Sequence, residues 1–221
     1  MLSAPRRALA SLAASLAVLM PPAAALSQTA APAQGASLVE QLKGPDTPAS
    51  DFDVAALRQR AVDRAKSRTD PVAQRRPPIA PQLAKLPQVE FSVVFDPDTS
   101  IIRPQSYQAI GRLADALTDP RLRPYVFLVV DHTESGGNRN DNLTLSQKRA
   151  DALRLVLANG FRVAPNQLQA LGLGEEQLLD ASKPSAPANA RVQIVTIGTV
   201  PPQEPTAAKQ PAKKGPAKKK R

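Results

Sequence analysis

Side chains that could do chemistry concentrate in one stretch of the chain, where Asp131, His132 and Glu134 follow an apolar run and Ser146 and Arg149 come soon after. His132 is the only histidine and the chain has no cysteine, which rules out disulfides and thiol catalysis and leaves too few ligands for a zinc site. Ser146 has no base partner other than His132, which argues against nucleophilic catalysis. The paired acids have no glycosidase context. These residue types therefore indicate a protein that is not an enzyme and that uses neither a metal nor a cofactor.

The elements that must position these residues follow from the hydrophobic pattern of the second half of the chain. Strands are predicted at Val89–Phe95, Tyr125–Val130, Gln167–Gly172 and Arg191–Ile197. Helices with apolar residues at helical spacing are predicted from Pro104 to Leu117 and from Thr144 to Ala158. The order β-α-β-α-β-β predicts an α+β fold, a two-layer sandwich in which the helices pack on one face of a small mixed sheet.

Five short motifs recur in order along this region. They are Asp131-His132-Thr133-Glu134, Gly136-Gly137, the run from Asn142 to Ala150, Gly172-Leu173-Gly174-Glu175, and Asn189-Ala190-Arg191-Val192. In order and spacing they resemble the OmpA-like domains, which carry Gly-His-Thr-Asp at a strand end, then Gly, then Asn-x-x-Leu-Ser-x-x-Arg-Ala on a helix. A Gly-x-Gly-Glu turn and an Asn-Arg-Arg-Val strand start follow in that family. The resemblance covers roughly 105 residues.

The resemblance implies non-covalent binding of the peptidoglycan stem peptide through its diaminopimelate residue. The free end of that residue is a zwitterion, so its receptor needs an acid for the ammonium and an arginine whose planar fork matches the carboxylate. By position, the resemblance assigns these roles to Glu134 and Arg149. It also places Thr133, Asn142 and Arg191 at the same site. Bracing roles remain open, because Arg149 could pair with Glu134 and Asn142 could order the loop.

Three positions depart from the family pattern. Asp131 stands where the family has glycine, Glu134 where it has aspartate, and Ala190 where it has the first of two arginines. Glutamate keeps the charge but is one methylene longer, and Asp131 adds a second negative charge nearby. The departures motivate an alternative prediction, a periplasmic protein–protein interaction scaffold whose peptidoglycan pocket has decayed.

The first residues are typical of an export signal. Arg6 and Arg7 precede an apolar run, Ala8–Met20, and the small residues Ala23–Ala25 follow it. The run is shorter than the roughly 20 residues that span a bilayer, which argues against a membrane anchor. Cleavage is predicted after Ala25 or after Ser27, so the protein is expected in the periplasm or at the outer membrane.

The domain organisation predicted from composition has four parts. Residues 1–27 are a signal peptide, 28–87 a proline-rich linker with one or two short helices, 88–198 the OmpA-like domain and 199–221 a disordered basic tail. One linker helix is predicted to begin at Asp51 or Asp53 and to run to about Ser67. It is expected either to dock on the domain or a partner, or to be a marginal, solvated helix.

The net charge of +10 lies at the ends of the chain. Seven positive charges belong to Lys209–Arg221 and two to Arg6 and Arg7, so the rest is close to neutral. The tail is interpreted either as a solubilising end or as a segment attracted to anionic outer-membrane lipid. Nucleic acid is not expected as a partner, because the export signal takes the protein away from that compartment.

Overall fold

The computed structural model describes residues 37–44, 46–49, 52–67 and 73–200. The export signal predicted for residues 1–27 and nearly all of the predicted basic tail lie outside the described residues. Across the described ranges, every helix is too short or too polar to cross a bilayer.

Helices and strands alternate as the hydrophobic pattern predicts. The helices are α1 (residues 37–42), α2 (Val54–Lys66), α3 (Tyr107–Leu117) and α4 (Arg139–Leu155), which continues into one π-helical turn, Val156–Gly160. The strands are β1 (Gln88–Phe91), β2 (Tyr125–His132), β3 (Leu168–Gly174) and β4 (Arg191–Thr199). From β1 onwards the order is β-α-β-α-β-β, which confirms the predicted α+β fold.

The four strands form one mixed sheet in the order β1-β4-β2-β3. β4 is antiparallel to both β1 and β2, whereas β2 and β3 are parallel. The register pairs Phe91 with Val192 and His132 with Arg191. The carboxyl ends of β1 and β2 therefore lie beside the start of β4, and this end of the sheet carries most of the predicted site.

The first face of the sheet holds the core of the predicted two-layer sandwich. Phe127 and Ile194 point from the sheet towards Ile110 and Leu113 of α3 and Leu153 of α4, and all five side chains are fully buried. Burial of each such side chain stabilises the fold by about 1.5–3 kcal/mol. These apolar contacts fix α3 and α4 on the same face.

The second face is covered by the segment that precedes β1. Asp53 caps α2 by accepting a hydrogen bond from the backbone N–H of Ala56 at 2.8 Å. Leu57 and Ala61 of α2 are buried against a cluster that includes Leu128 and Leu171 of the sheet. Of the two interpretations of this helix, docking on the domain is therefore the one found. This segment adds a third layer to the predicted two. It can pack there because the central strands carry apolar side chains on both faces of the sheet.

The outer edge of β3 is closed by polar side chains. The side-chain oxygen of Gln147 accepts from the N–H of Gly172 at 2.9 Å, and Ser146 Oγ accepts from Gly174 at 2.8 Å. Arg58 of α2 donates to the carbonyl of Ala170 at 2.7 Å. An added Cβ at Gly172 would collide with the backbone of Gln147, so this glycine permits the close approach of α4. The serine of the sequence motif thus has a structural role.

Two element boundaries differ from the prediction by more than three residues. α4 begins at Arg139 instead of Thr144, because Asn138 accepts hydrogen bonds from the N–H groups of Asn140 and Asp141 and so starts the helix one turn earlier. β1 ends at Phe91 instead of Phe95, because β4 starts at Arg191 and offers no backbone partner beyond that point.

Candidate ligand-binding site

A cavity of about 290 Å³ opens at the end of the sheet where β1, β2 and β4 meet. We call it the strand-end cavity. It is lined by Glu90–Val93 and Phe95 after β1, by Asp131 and His132 of β2, by Arg149 of α4 and by Ala190–Val192 of β4. The cavity brings together Arg149 and Arg191, two of the residues predicted from the sequence.

Asp131 is the buried acid of the strand-end cavity. Its side chain is 2% exposed, and Oδ1 accepts no hydrogen bond from the described residues. Burial raises the pKa of this carboxyl well above its usual value, and the nearby Arg149 guanidinium opposes that rise. The position therefore carries a carboxyl group that is desolvated and lacks a partner.

His132 points to the opposite face of the sheet and is fully buried. Its Nε2 lies 2.8 Å from the side-chain oxygen of Gln193. Burial, assisted by the positive charge of Arg191, lowers the pKa of the ring to about 3, so the imidazole is neutral in the folded protein. Its hydrogen bond to Gln193 of β4 gives this histidine a structural role.

Arg149 is held in place by two contacts. Its Nε donates to the carbonyl of Thr99 at 2.9 Å, and its guanidinium carbon lies 4.9 Å from the centre of the Phe95 ring. Its Nη1 and Nη2 donate to no other described residue. The brace between Arg149 and Glu134 is not formed. The guanidinium is oriented by its neighbours and keeps its two terminal nitrogens for another partner.

Arg191 lies at the other side of the strand-end cavity. It donates to the carbonyls of Asn189 and Gln177 at 3.2 and 3.3 Å, and its Nε lies 3.8 Å from a carboxylate oxygen of Glu90. Burial lowers the pKa of the guanidinium, and the nearby Glu90 carboxylate opposes that fall. Its side chain is 9% exposed, and Nε makes no hydrogen bond with the described residues.

The structure places the other predicted site residues differently. Glu134 is exposed and does not line the strand-end cavity. Thr133 is buried, and its backbone N–H donates to Gly174. Asn142 donates to the carbonyl of Gly136 at 2.8 Å and to the Glu175 carboxylate at 2.9 Å, so it braces the loop after β2.

A cluster of charged side chains that sequence reasoning did not identify holds the loop after β2. The paired cluster, as we call it, consists of Arg76, Arg139, Glu175 and Glu176. Arg139 binds Glu176 with distances of 2.6 and 2.7 Å, and Arg76 binds Glu175 at 2.8 Å. The Gly-x-Gly-Glu motif contains one member, Glu175. No local sequence signal links Arg76 to Glu175, because about a hundred residues separate them in the chain.

A second concavity lies on the outer side of this loop. The loop groove, of about 650 Å³, is lined by Asp98–Ile101, by Gly136–Asn138 and by the start of α4. Thr99, whose carbonyl accepts from Arg149, belongs to this groove, so Arg149 connects the groove to the strand-end cavity. Among the described residues no three His, Asp or Glu side chains group as metal ligands.

Residues 94–192 match the model of the OmpA family. This part of the chain is an OmpA family domain. The chain is 35% identical over 114 residues to outer membrane porin F of Pseudomonas fluorescens, which covers 50% of this chain and 34% of that protein. It is 33% identical over 85 residues to the peptidoglycan-associated lipoprotein of Brucella melitensis, or 38% of this chain and 49% of that protein.

A solved structure also matches the OmpA family domain. The peptidoglycan-associated lipoprotein of Burkholderia pseudomallei aligns with 28% identity and a TM-score of 0.38, over 52% of this chain and 92% of that one. The chain spans half or less of the two curated relatives named above. What those whole proteins do is therefore considered only as a proposal for this chain.

Proposed function

We propose that this protein binds peptidoglycan without cutting it and thereby anchors the cell wall to the envelope. The observation that carries the proposal is Arg149, a guanidinium oriented by Thr99 and Phe95 with two terminal nitrogens free of described partners. Such a fork suits a carboxylate. The names of the relatives, peptidoglycan-associated lipoprotein and outer membrane porin F, support the same direction.

The proposed ligand is the diaminopimelate end of the stem peptide. Arg149 would take its carboxylate, and an acid at the end of β2 would take its ammonium. The family pattern assigns the acid to Glu134 and adds Thr133, Asn142 and Arg191 to the site. Asn142 contributes by holding the loop, whereas the loop groove offers room for the rest of the stem peptide.

The proposed location is the periplasm or the outer membrane. The envelope proteins among the relatives support it, and the predicted signal peptide at residues 1–27 would supply export. The tail, Lys209–Arg221, would add a weaker, salt-sensitive attraction to anionic lipid.

The proposal is tested by sedimentation of the mature protein with purified sacculi. Arg149→Ala is expected to lower the affinity about ten- to a hundredfold, because charged hydrogen bonds contribute about 1.5–3 kcal/mol. Arg154→Ala is the matched control, since it removes the same charge from the same helix but lines neither the strand-end cavity nor the loop groove.

Two outcomes would contradict the proposal. Wild-type protein that stays in the supernatant at modest salt would favour the alternative, an interaction scaffold with a decayed pocket. Binding that survives Arg149→Ala but disappears on deletion of residues 209–221 would show attachment by charge alone.

A further inference from the structure

The strand-end cavity holds a carboxyl group that the fold itself does not use. Asp131 is almost fully buried, and its Oδ1 accepts no hydrogen bond from the described residues. Native proteins leave few buried polar atoms in this state, and each calls for an explanation. Glycine, the residue of the family pattern at this position, would form the same strand without a carboxyl group. Strand formation therefore does not account for the aspartate.

Arg149 faces the same cavity from α4. Its positive charge acts on Asp131, yet these two side chains form no ion pair within 4.0 Å. The cavity between β1, β4 and α4 has a volume of about 290 Å³, room for roughly ten water molecules. An unpartnered carboxyl group and a guanidinium with free nitrogens thus lie at one cavity without neutralising each other directly.

We propose that Asp131, and not Glu134, receives the ammonium of the ligand, while Arg149 takes the adjacent carboxylate. The ligand class is an amino-acid end group whose ammonium and carboxylate branch from one carbon, because such a group complements a carboxyl group and a guanidinium that face one cavity. This assignment rests on the proposed function and specifies which acid performs it.

The surroundings of the two acids favour Asp131. The side chain of Glu134 is exposed, and interactions of an exposed charge are weakened by water and salt. The side chain of Asp131 is almost fully buried, and a charged hydrogen bond is stronger there. Arg191 adds a buried Nε without a described hydrogen-bond partner on the far side, so the cavity offers polar contacts along its length.

The test compares three variants of the mature protein against two preparations of sacculi. The variants are Asp131→Asn, Glu134→Gln and the control Asp115→Asn, which removes one exposed charge on α3 away from the cavity. One preparation is native, and in the other the free amines of the stem peptides are acetylated, which removes the ammonium. Asp131→Asn is expected to weaken binding to native sacculi about tenfold or more.

The acetylated sacculi provide the decisive comparison. Wild type, Glu134→Gln and Asp115→Asn should each bind them at least about tenfold more weakly than native sacculi. Asp131→Asn should bind both preparations equally weakly, because the group that senses the ammonium has gone. Cooperative urea unfolding checks that each variant folds, and Asp131→Ser replaces Asp131→Asn if the amide does not fit.

The possible failures are distinguishable. Wild-type protein that does not sediment with native sacculi contradicts the proposed function itself. Wild-type protein that sediments, together with Asp131→Asn that binds equally well, contradicts only the assignment of the ammonium to Asp131. A loss of ammonium sensitivity in Glu134→Gln would overturn the assignment in favour of the exposed acid.

Discussion

Two groups of buried charges lie within a few residues of each other in this domain, and they are satisfied to different extents. In the paired cluster, all four carboxylate oxygens of Glu175 and Glu176 accept hydrogen bonds from Arg76, Arg139, Ser135 or Asn142. In the strand-end cavity, Asp131 Oδ1 accepts no hydrogen bond from the described residues, although Arg191 Nε there and Arg76 Nε and Nη1 in the paired cluster also lack one. The two groups therefore differ in their carboxyl groups.

The difference supports a structural role for the paired cluster and the binding role proposed for the strand-end cavity. Buried charges that bind each other join distant segments, and the paired cluster ties Arg76, which precedes β1, to the loop after β2. A buried carboxyl group without a hydrogen-bond partner destabilises the fold, and a ligand that supplies the partner is one explanation for it. Asp131 is such a group.

The largest effect is expected from breaking the paired cluster. Glu176→Ala removes the buried carboxylate that Arg139 and Arg76 share and should lower the free energy of unfolding by about 3–5 kcal/mol. Urea unfolding measures it. Glu134→Ala, at an exposed position nearby, should change it by less than about 0.5 kcal/mol. Equal effects of the two variants would contradict the structural role of the paired cluster.

Acid should lower the stability of the fold through His132, the buried ring at the end of β2. The pKa of its ring is lowered from 6.5 to about 3, so unfolding takes up a proton below pH 6.5. Stability present above pH 6.5 is therefore lost as the pH falls towards 3, by about 1.4 kcal/mol per pH unit. The difference in unfolding free energy between the wild type and His132→Gln, measured in urea between about pH 7 and pH 4.5, should show this slope, because the comparison cancels the opposite contribution of Asp131.

A smaller effect of opposite sign is expected at Asp131. Burial raises the pKa of this carboxyl above its usual 3.8, so its contribution to stability is present below pH 3.8 and is lost as the pH rises through the raised value. Asp131→Asn should therefore gain stability relative to the wild type as the pH rises, by about 1–3 kcal/mol at neutrality. Thermal unfolding at acid and neutral pH measures the difference, and a constant offset between the two proteins would contradict it.

The smallest effect is expected where the loop after β2 joins the paired cluster. Asn142→Ala removes the bonds to Gly136 and Glu175 and should lower the free energy of unfolding by about 1–2 kcal/mol. Hydrogen exchange at Ser135 and Gly136 should become faster at the same time. Unchanged exchange there would show that the loop is held by other contacts.

Much of the fold was predictable because its signals are local. The order of strands and helices from Val89 to Ile197 follows from hydrophobic period, and the OmpA family resemblance follows from motifs in register. The boundary errors at Asn138 and Phe91 arise from a cap and from the absence of a pairing strand. The first is a local signal that could have been found, whereas the second depends on where β4 begins.

The sequence by itself determined the element order, the single histidine and the arginine that the family resemblance assigns to the ligand carboxylate. The tertiary structure decided which charges meet, because strand register and helix docking bring together residues far apart in the chain. It placed Asp131 and Arg149 at one cavity, left Glu134 outside it and docked α2 on the second face of the sheet. The sequence shows which residue types are present and how they are spaced, but only packing shows which side chains lack a hydrogen-bond partner.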